Sequence, residues 1–422
     1  MRFGIYTLDD CALAGKTVLC RVDINQPVDK ASGVLRSVAR IEACVPTIRE
    51  LSDRGAKVVL LAHQGSDIEY KNFYTTRPHA EVLSRLLGRQ VRFMDDVCGP
   101  AAREAIRHLK DAEILLLDNV RFCSEEQTLF ELELRLSHTW QADTEVVRKL
   151  APLADLYVCD AFAAAHRDQP SLCGFEQVLP SAMGRLFEKE YCVVSELMES
   201  PERPCVFLLG GAKVSDAFLM MDAVLKTSSA DLVLTGGLVA SVMLAARGIH
   251  IGSGSMDFIR SSGYEGLIDA ARDLLKDYPY AIRTPVDVAY LADGRRREAR
   301  VDGIPDDVNI LDIGRETSQA YAEELMAAKT VFVNGPMGVF EEPETELGTR
   351  LVWDALGNTE AYTVVGGGDS IAATEKYQKA EKISYICTGG GALIRFLSGE
   401  TLPVVRALRY AASAFPMEDT AG

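Results

Sequence analysis

The stretch Pro204–Asp216, PCVFLLGGAKVSD, runs from an apolar segment through the turn Gly210–Gly211 into the start of a helical pattern. The same order recurs in DLVLTGGLVAS (Asp231–Ser241), TVVGGGDSIAA (Thr363–Ala373) and YICTGGGALIR (Tyr385–Arg395). A short apolar run closed by glycine reads as a buried strand, and strands joined by helices form a mostly parallel sheet. Glycine lets the main chain approach a ligand closely, and a helix start offers unpaired N–H groups to an anion. One such turn is as readily a plain connection as a site. Four of them, at the carboxyl ends of parallel strands, point to a phosphate-rich ligand at one sheet edge. None of these loops carries the dinucleotide fingerprint G-x-G-x-x-G. The segment LAGKT (Leu13–Thr17) ends like a Walker A loop, but Asp10 stands where its first glycine belongs, and a strand follows it.

The first half repeats the alternation. Thr17–Arg21 ends in Asp23 and Asn25, and Ile41, Cys44, Val45, Ile48 and Leu51 then recur at helical spacing until Gly55. Val58–Ala62 ends at His63, Ile114–Leu117 at Asp118–Arg121, and Leu156–Cys159 at Asp160, with His166 and Arg167 close behind. Strand ends of a parallel sheet share an edge, so Asp23, Asn25, His63, Arg121 and Arg167, with Arg40 opening the first helix, can converge. Singly, each has an ordinary reading as a turn cap, a core histidine or a surface charge. Together, with arginine forks able to grip phosphate and carboxylate, they suit a small, multiply anionic molecule.

At 422 residues, with 48% apolar and 25% charged residues, the chain has room for two domains with separate cores. A boundary is expected near Pro180. Residues 181–200 read as one amphipathic joining helix, with Met183, Leu186, Phe187, Tyr191 and Val194 on one stripe. The net charge of −16 argues against a nucleic-acid partner and requires a site for anions to concentrate its own positive charge. No run is long and apolar enough for a membrane span, and the start MRFGIYTLDD has no signal-peptide core. Ten cysteines without C-x-x-C spacing suggest free thiols in a reducing, cytoplasmic setting. A helical apolar pattern over Leu402–Phe415 closes the chain.

RVDINQPV (Arg21–Val28), LLDNVRF (Leu116–Phe122), DAFAAAHR (Asp160–Arg167), LGGAKVSD (Leu209–Asp216), NGPMGVFE (Asn334–Glu341) and VVGGGDSIAA (Val364–Ala373) strongly resemble the phosphoglycerate kinase family, and their spacing its archaeal-type branch. The resemblance implies two Rossmann-like three-layer α/β domains with mostly parallel sheets, joined by a hinge helix. The phosphoglycerate domain would span 1–180, the joining helix 181–200 and the nucleotide domain 201–401, with the tail 402–422 packed back on the first. It implies phosphoryl transfer between 1,3-bisphosphoglycerate and ADP, giving 3-phosphoglycerate and ATP, with magnesium, in a monomer or homodimer. Asp23, Asn25, Arg40, His63, Arg121 and Arg167 match the family's phosphoglycerate contacts. Lys213 matches a phosphate-binding lysine, Gly236 and Gly237 an adenosine-contacting turn, Asn334 and Pro336 the nucleotide wall, and Glu341 a ribose contact. Asp369, with Ser370 beside it, matches the residue associated with magnesium-nucleotide. Gly366, Gly367 and Gly368, with Gly389, Gly390 and Gly391, would bring main-chain N–H groups to the transferring phosphoryl. Arg40, Lys213, Gly367 and Gly390 would then form the catalytic clamp.

Two places depart from the family pattern. After His63 the family carries an arginine in a basic loop, whereas Ser66 stands here beside Asp67 and Glu69, with Lys71 and Arg77 as candidate substitutes. Four residues after Lys213 a second lysine is common, and here the residue is Ala217. A paralogous kinase of another small carboxylate or phospho-acid, and a non-catalytic nucleotide-binding relative, stay open beside the leading reading.

Overall fold

The computed structural model describes residues 1–29, 32–65 and 73–417. The chain divides into two compact units, Met1–Cys192 with Thr401–Gly422, and Val193–Glu400.

The first unit is built on a seven-stranded, wholly parallel sheet in the order β1-β7-β6-β2-β3-β5-β4. Its strands are β1 (Tyr6–Thr7), β2 (Thr17–Arg21), β3 (Lys57–Leu61), β4 (Val91–Met94), β5 (Ile114–Leu117), β6 (Leu156–Cys159) and β7 (Ser181–Met183). The central strands TVLCR, KVVLL, ILLL and LYVC are near-continuous apolar runs, as strands covered on both faces require. The helix Ala39–Asp53 turns Ile41, Cys44, Ile48 and Leu51 into the core at the expected spacing. Strand order reverses about β2, so the carboxyl ends of β2, β3, β5 and β6 adjoin at the place where doubly wound sheets hold ligands. The helix Pro403–Ala414 belongs to this unit; its Val404 N–H donates to Ala165 O, and Met417 N–H to the Tyr6 hydroxyl.

The joining helix is shorter than its sequence pattern. Ser181–Met183 forms β7, paired with β1 and β6, and the helix runs Arg185–Glu199. Two groups remote in sequence set this start. Asp160 Oδ1 accepts the N–H groups of Leu186 (2.9 Å) and Phe187 (3.2 Å), satisfying donors that the helix itself leaves unpaired. Arg185 is held by Asp9, Glu50 and Glu188, and its N–H donates to Thr47 Oγ1.

The second unit carries a six-stranded parallel sheet, β10-β9-β8-β14-β15-β16, and a three-stranded antiparallel one, β12-β11-β13. The parallel strands are β8 (Cys205–Leu209), β9 (Leu232–Thr235), β10 (Ile282–Arg283), β14 (Thr330–Asn334), β15 (Tyr362–Gly366) and β16 (Tyr385–Ile386). The antiparallel strands are β11 (Asp287–Ala292), β12 (Arg295–Arg300) and β13 (Asp312–Ile313). Every glycine turn quoted above follows a strand of the parallel sheet and leads into a helix: Val214–Lys226, Gly237–Ala246, Gly368–Lys376 and Gly390–Leu397. Order reverses between β8 and β14, which puts Gly210–Gly211 beside Asn334. The small antiparallel sheet is absent from the sequence reading above. Its signal was Asp293-Gly294, both at positive φ (52° and 71°), the pair that a two-residue hairpin demands.

Candidate functional site

In the first unit the basic cluster assembles around the ends of β2, β3 and β5. Arg40 Nη1 donates to Asp23 Oδ2 at 3.0 Å, and Asn25 N–H to Asp23 Oδ1 at 3.1 Å. Asn25 Oδ1 accepts the Gly65 N–H at 3.0 Å, while Arg121 Nη1 donates to the Gly65 carbonyl. Burial favours the neutral form of Asp23, but Arg40, the Asn25 N–H and Arg21 oppose it, and the carboxyl lies below its ordinary range. Burial pushes the His63 imidazole well down; Asp23 opposes this, and Arg21, Arg121 and Arg40 add to it. The ring is therefore neutral at pH 7. Arg21 Nη2, which can only donate, lies 3.0 Å from His63 Nδ1, so that nitrogen accepts and the proton sits on Nε2.

Arg21 joins this cluster although the sequence reading gave it no role, since it looks like the last residue of an apolar strand. It is fully buried, with Nε donating to Ser171 Oγ at 2.9 Å, and Ser171 in turn donates to Glu126 Oε2 at 2.7 Å. This chain fixes the tautomer of His63. Arg121 is brought down to about 10 by burial and by the charges of Arg21 and Arg167, so it stays a cation. Arg167 pairs with Glu131 Oε2 at 3.5 Å. All six residues expected from the sequence thus belong to one neighbourhood. Ser66, Asp67, Glu69 and Lys71 lie outside the described residues. Arg77 is committed elsewhere, pairing with Asp95 at 3.2 Å and lying 4.4 Å over the Phe93 ring.

The second unit has two adjoining hollows bordered in common by Gly211, Ala212 and Asp369. One is a mainly apolar cavity of about 340 Å³, with Gly237, Leu238, Leu311, Pro336, Phe340 and Glu341 in its wall. The other is a small polar recess walled by Gly210, Lys213, Asn334, Gly367, Gly368 and Ser370. Lys213 is its one basic side chain among the described residues. Asn334 Nδ2 is buried there with no hydrogen-bond partner among the described residues, a donor left for something the recess receives. The helices starting at Val214, Gly368 and Gly390 have no side chain bonded at their N-caps, which leaves first-turn N–H groups for an anion. Ala217 is buried in its helix, so this turn presents no second ammonium.

The glycines separate into two kinds. Gly210, Gly211, Gly236, Gly237 and Gly335 let three turns press backbone against backbone: a Cβ on Gly237 (φ +53°) would meet Gly211 N at 2.7 Å, and one on Gly335 (φ +94°) the carbonyl of Gly210. Gly236 and Gly366 border neither hollow; Met337 fills the Cβ side of the first and Leu393 that of the second. Ser370 lines the recess, yet its Oγ accepts the Gly335 N–H at 2.6 Å and so tethers that turn. Gly368 and Gly390 have open space where a Cβ would stand. Gly335→Ala should lower stability by about 2–4 kcal/mol through overpacking and left-handed backbone strain. Gly368→Ala should melt like the parent and lose turnover, a contrast that thermal denaturation with a steady-state assay will read.

The wall at Asn309–Ile313 was also missed. Leu311 is fixed there by main-chain bonds, its N–H to Ala289 O (2.9 Å) and its carbonyl from Val339 N–H (2.7 Å). Asp312 beside it is pushed up to about 6 by burial, with Arg296 at 2.9 Å opposing. Among the described residues no helix is long and apolar enough to cross a membrane.

A sequence model described as phosphoglycerate kinase matches residues 8–400. The phosphoglycerate kinase of Methanothermobacter thermautotrophicus is 48% identical over 406 residues, 96% of this chain and 97% of that protein. That of Thermococcus kodakarensis is 44% identical, covering 97% and 98%. The crystal structure of phosphoglycerate kinase from Pyrococcus horikoshii OT3 superposes with a TM-score of 0.87 at 41% identity, covering 97% of this chain and 100% of that one. The structure from Coxiella burnetii gives 0.82 at 29% identity, covering 96% and 98%. A basic, buried-arginine cluster in one unit, a glycine-walled recess with a lone lysine in the other, and agreement along nearly the whole length place this chain in the phosphoglycerate kinase family.

Proposed function

We propose that the chain performs the family's transfer with the residues just described: the cluster around Asp23 and Arg40 holds the phosphoglycerate, and the paired hollows of the second unit hold the nucleotide. The observation that carries the assignment of roles is the recess itself, where Lys213, the unpartnered Asn334 amide and uncapped helix N-termini surround a space with no apolar purpose. The apolar cavity beside Leu311 and Phe340 suits a base, with Glu341 at the ribose, and the phosphates then run past Gly211 toward Lys213.

In the direction that makes ATP, a terminal oxygen of ADP attacks the acyl phosphorus of 1,3-bisphosphoglycerate. The bond from phosphorus to the carboxyl oxygen breaks, and 3-phosphoglycerate leaves as a carboxylate. Neither attacking nor leaving oxygen needs a proton moved, so the protein's work is placement and charge stabilisation. Arg40 and Lys213, with the N–H groups of Gly367, Gly368 and Gly390, act on the equatorial oxygens as charge spreads over them. Neutral His63 donates from Nε2–H to a phosphoglycerate oxygen, while Arg121 and Arg167 take the distal phosphate. The reaction needs a step that brings both ligands in line and excludes water. The helix Arg185–Glu199, whose residues are shared between the two units, is the proposed hinge.

Magnesium fits the recess on its own chemistry: Asp369 is an exposed carboxylate on the wall beside the phosphate path, and magnesium is commonly held by one or two carboxylates plus phosphate oxygens. Asp369 would hold it there, and the ion would neutralise nucleotide charge. Asp369→Ala should raise the magnesium concentration needed for half-maximal rate several-fold. An undisturbed magnesium dependence refutes that role. The reading as a whole is tested by a coupled assay with ATP, magnesium and 3-phosphoglycerate; turnover near the usual enzyme range of about 1–10³ per second supports it. Saturable ATP binding with no turnover on 3-phosphoglycerate sends the acceptor pocket to another carboxylate.

A further inference from the structure

Apart from the residues given roles above, three side chains of different chemistry meet in the first unit. His138 opens the short helix His138–Gln141, Asp168 follows Arg167, and Cys173 ends the helix Pro170–Cys173. One ligand atom from each, an imidazole nitrogen, a carboxylate oxygen and the thiol sulfur, all lie within 4.8 Å of one another. His138 Nε2 stands 3.1 Å from Asp168 Oδ1, yet this buried nitrogen makes no aligned hydrogen bond. A pair held only by mutual attraction would point the N–H at the oxygen.

A nitrogen, an oxygen and a sulfur donor suit zinc, whereas magnesium takes oxygens. Three protein ligands leave the fourth tetrahedral position to water. The oxygen donor is the Asp168 carboxylate. Gln141 Nε2 orients that carboxylate from outside the cluster, donating to Oδ1 at 2.5 Å. His138 and Asp168 are 17% and 35% exposed and give an ion a way in, while Cys173 closes the inner side. Burial, with the charges of Glu176 and Asp168, raises the Cys173 thiol well above its ordinary range and Arg406 opposes this, so the bound ion itself must displace the thiol proton. A divalent ion bound there would be balanced by one carboxylate and one thiolate, with the thiol proton released to solvent.

We propose that His138, Asp168 and Cys173 form a zinc(II) site, completed by one water, that clamps the turn carrying Arg167. The link to that turn is direct, since Asp168 is its neighbour in the chain, and the Cys173 thiol, which donates to the Arg167 carbonyl at 3.7 Å, exchanges that bond for the ion when its proton leaves.

The test is a cobalt(II) titration of the full chain, freed of metal by a chelator and without nucleotide, followed by absorbance. A near-ultraviolet sulfur-to-cobalt band with tetrahedral visible bands is expected, saturating at a single ion and erased by zinc(II). Cys173→Ser should lose the near-ultraviolet band, and His138→Ala should weaken cobalt affinity by about tenfold or more. Circular dichroism melts establish that each variant is folded, and the partly exposed His138 decides the matter if the buried cysteine variant is not. Three results overturn the proposal: no near-ultraviolet band in the parent, unchanged affinity in His138→Ala, or a band that disappears with Cys98→Ser/Cys123→Ser, the neighbouring thiols elsewhere in this unit.

Discussion

Lys213→Ala should leave the melting temperature unchanged and lower turnover by a factor on the order of 10²–10³, the loss seen when one positioned transition-state donor is removed. Two features make this a clean experiment. The side chain is exposed at the N-cap of Val214–Lys226 and has no hydrogen bond or ion pair among the described residues, so the fold does not depend on it. It is also the single basic side chain on the recess among the described residues, and Ala217 supplies no reserve. The loss should fall mainly on turnover, because the proposed clamp sets the lysine where charge develops during transfer, while the proposed nucleotide site draws also on the apolar cavity. Lys213→Arg keeps the charge but changes its shape and reach, and should recover only part of the rate. Full activity in Lys213→Ala would remove the lysine from the clamp.

Arg40→Ala should also reduce turnover by about 10²–10³, with nucleotide affinity unaffected. This case carries a structural component that must be separated. Arg40 is 40% exposed, but its partner Asp23 is only 7% exposed and keeps its low carboxyl range partly through that arginine. Loss of the pair should lower stability by no more than about 1 kcal/mol, given how far the arginine reaches into solvent. A rate loss of the stated size with a small shift in melting assigns the effect to chemistry. Unchanged turnover would refute the role, and a rate loss that tracks unfolding would make Arg40 a support for Asp23.

Much of this was legible in the chain because the relevant signals are local. Strand–glycine–helix order and near-continuous apolar runs depend on neighbours a few residues apart, and they located the strands whose carboxyl ends lead to Asp23, His63, Arg121, Lys213 and Asp369. What escaped depends on partners far away. Ser181–Met183 carries a helical stripe, yet becomes a strand because β1 and β6 accept it and Asp160 caps the helix only from Arg185 onward. Arg21 looks like a strand's polar end until Ser171 and Glu126, remote in sequence, show that it orients His63. Asn309–Ile313 has no motif at all and becomes a wall through main-chain bonds to Ala289 and Val339. The hairpin at Asp293-Gly294 did carry a local signal.

The three turns at Gly210–Gly211, Gly236–Gly237 and Gly335 occupy the space that one another's side chains would fill. Their shape is therefore settled when the unit folds, and little of it remains to be ordered when a ligand arrives. Binding a flexible partner ordinarily spends part of its favourable energy on fixing loops and rotamers. On this wall that expense is absent, so nucleotide binding should show a small entropic penalty from the protein side. The same interlock couples the turns in inheritance. A larger residue in one needs room from the turn packed against it, so this corner of the chain drifts by changes that come together.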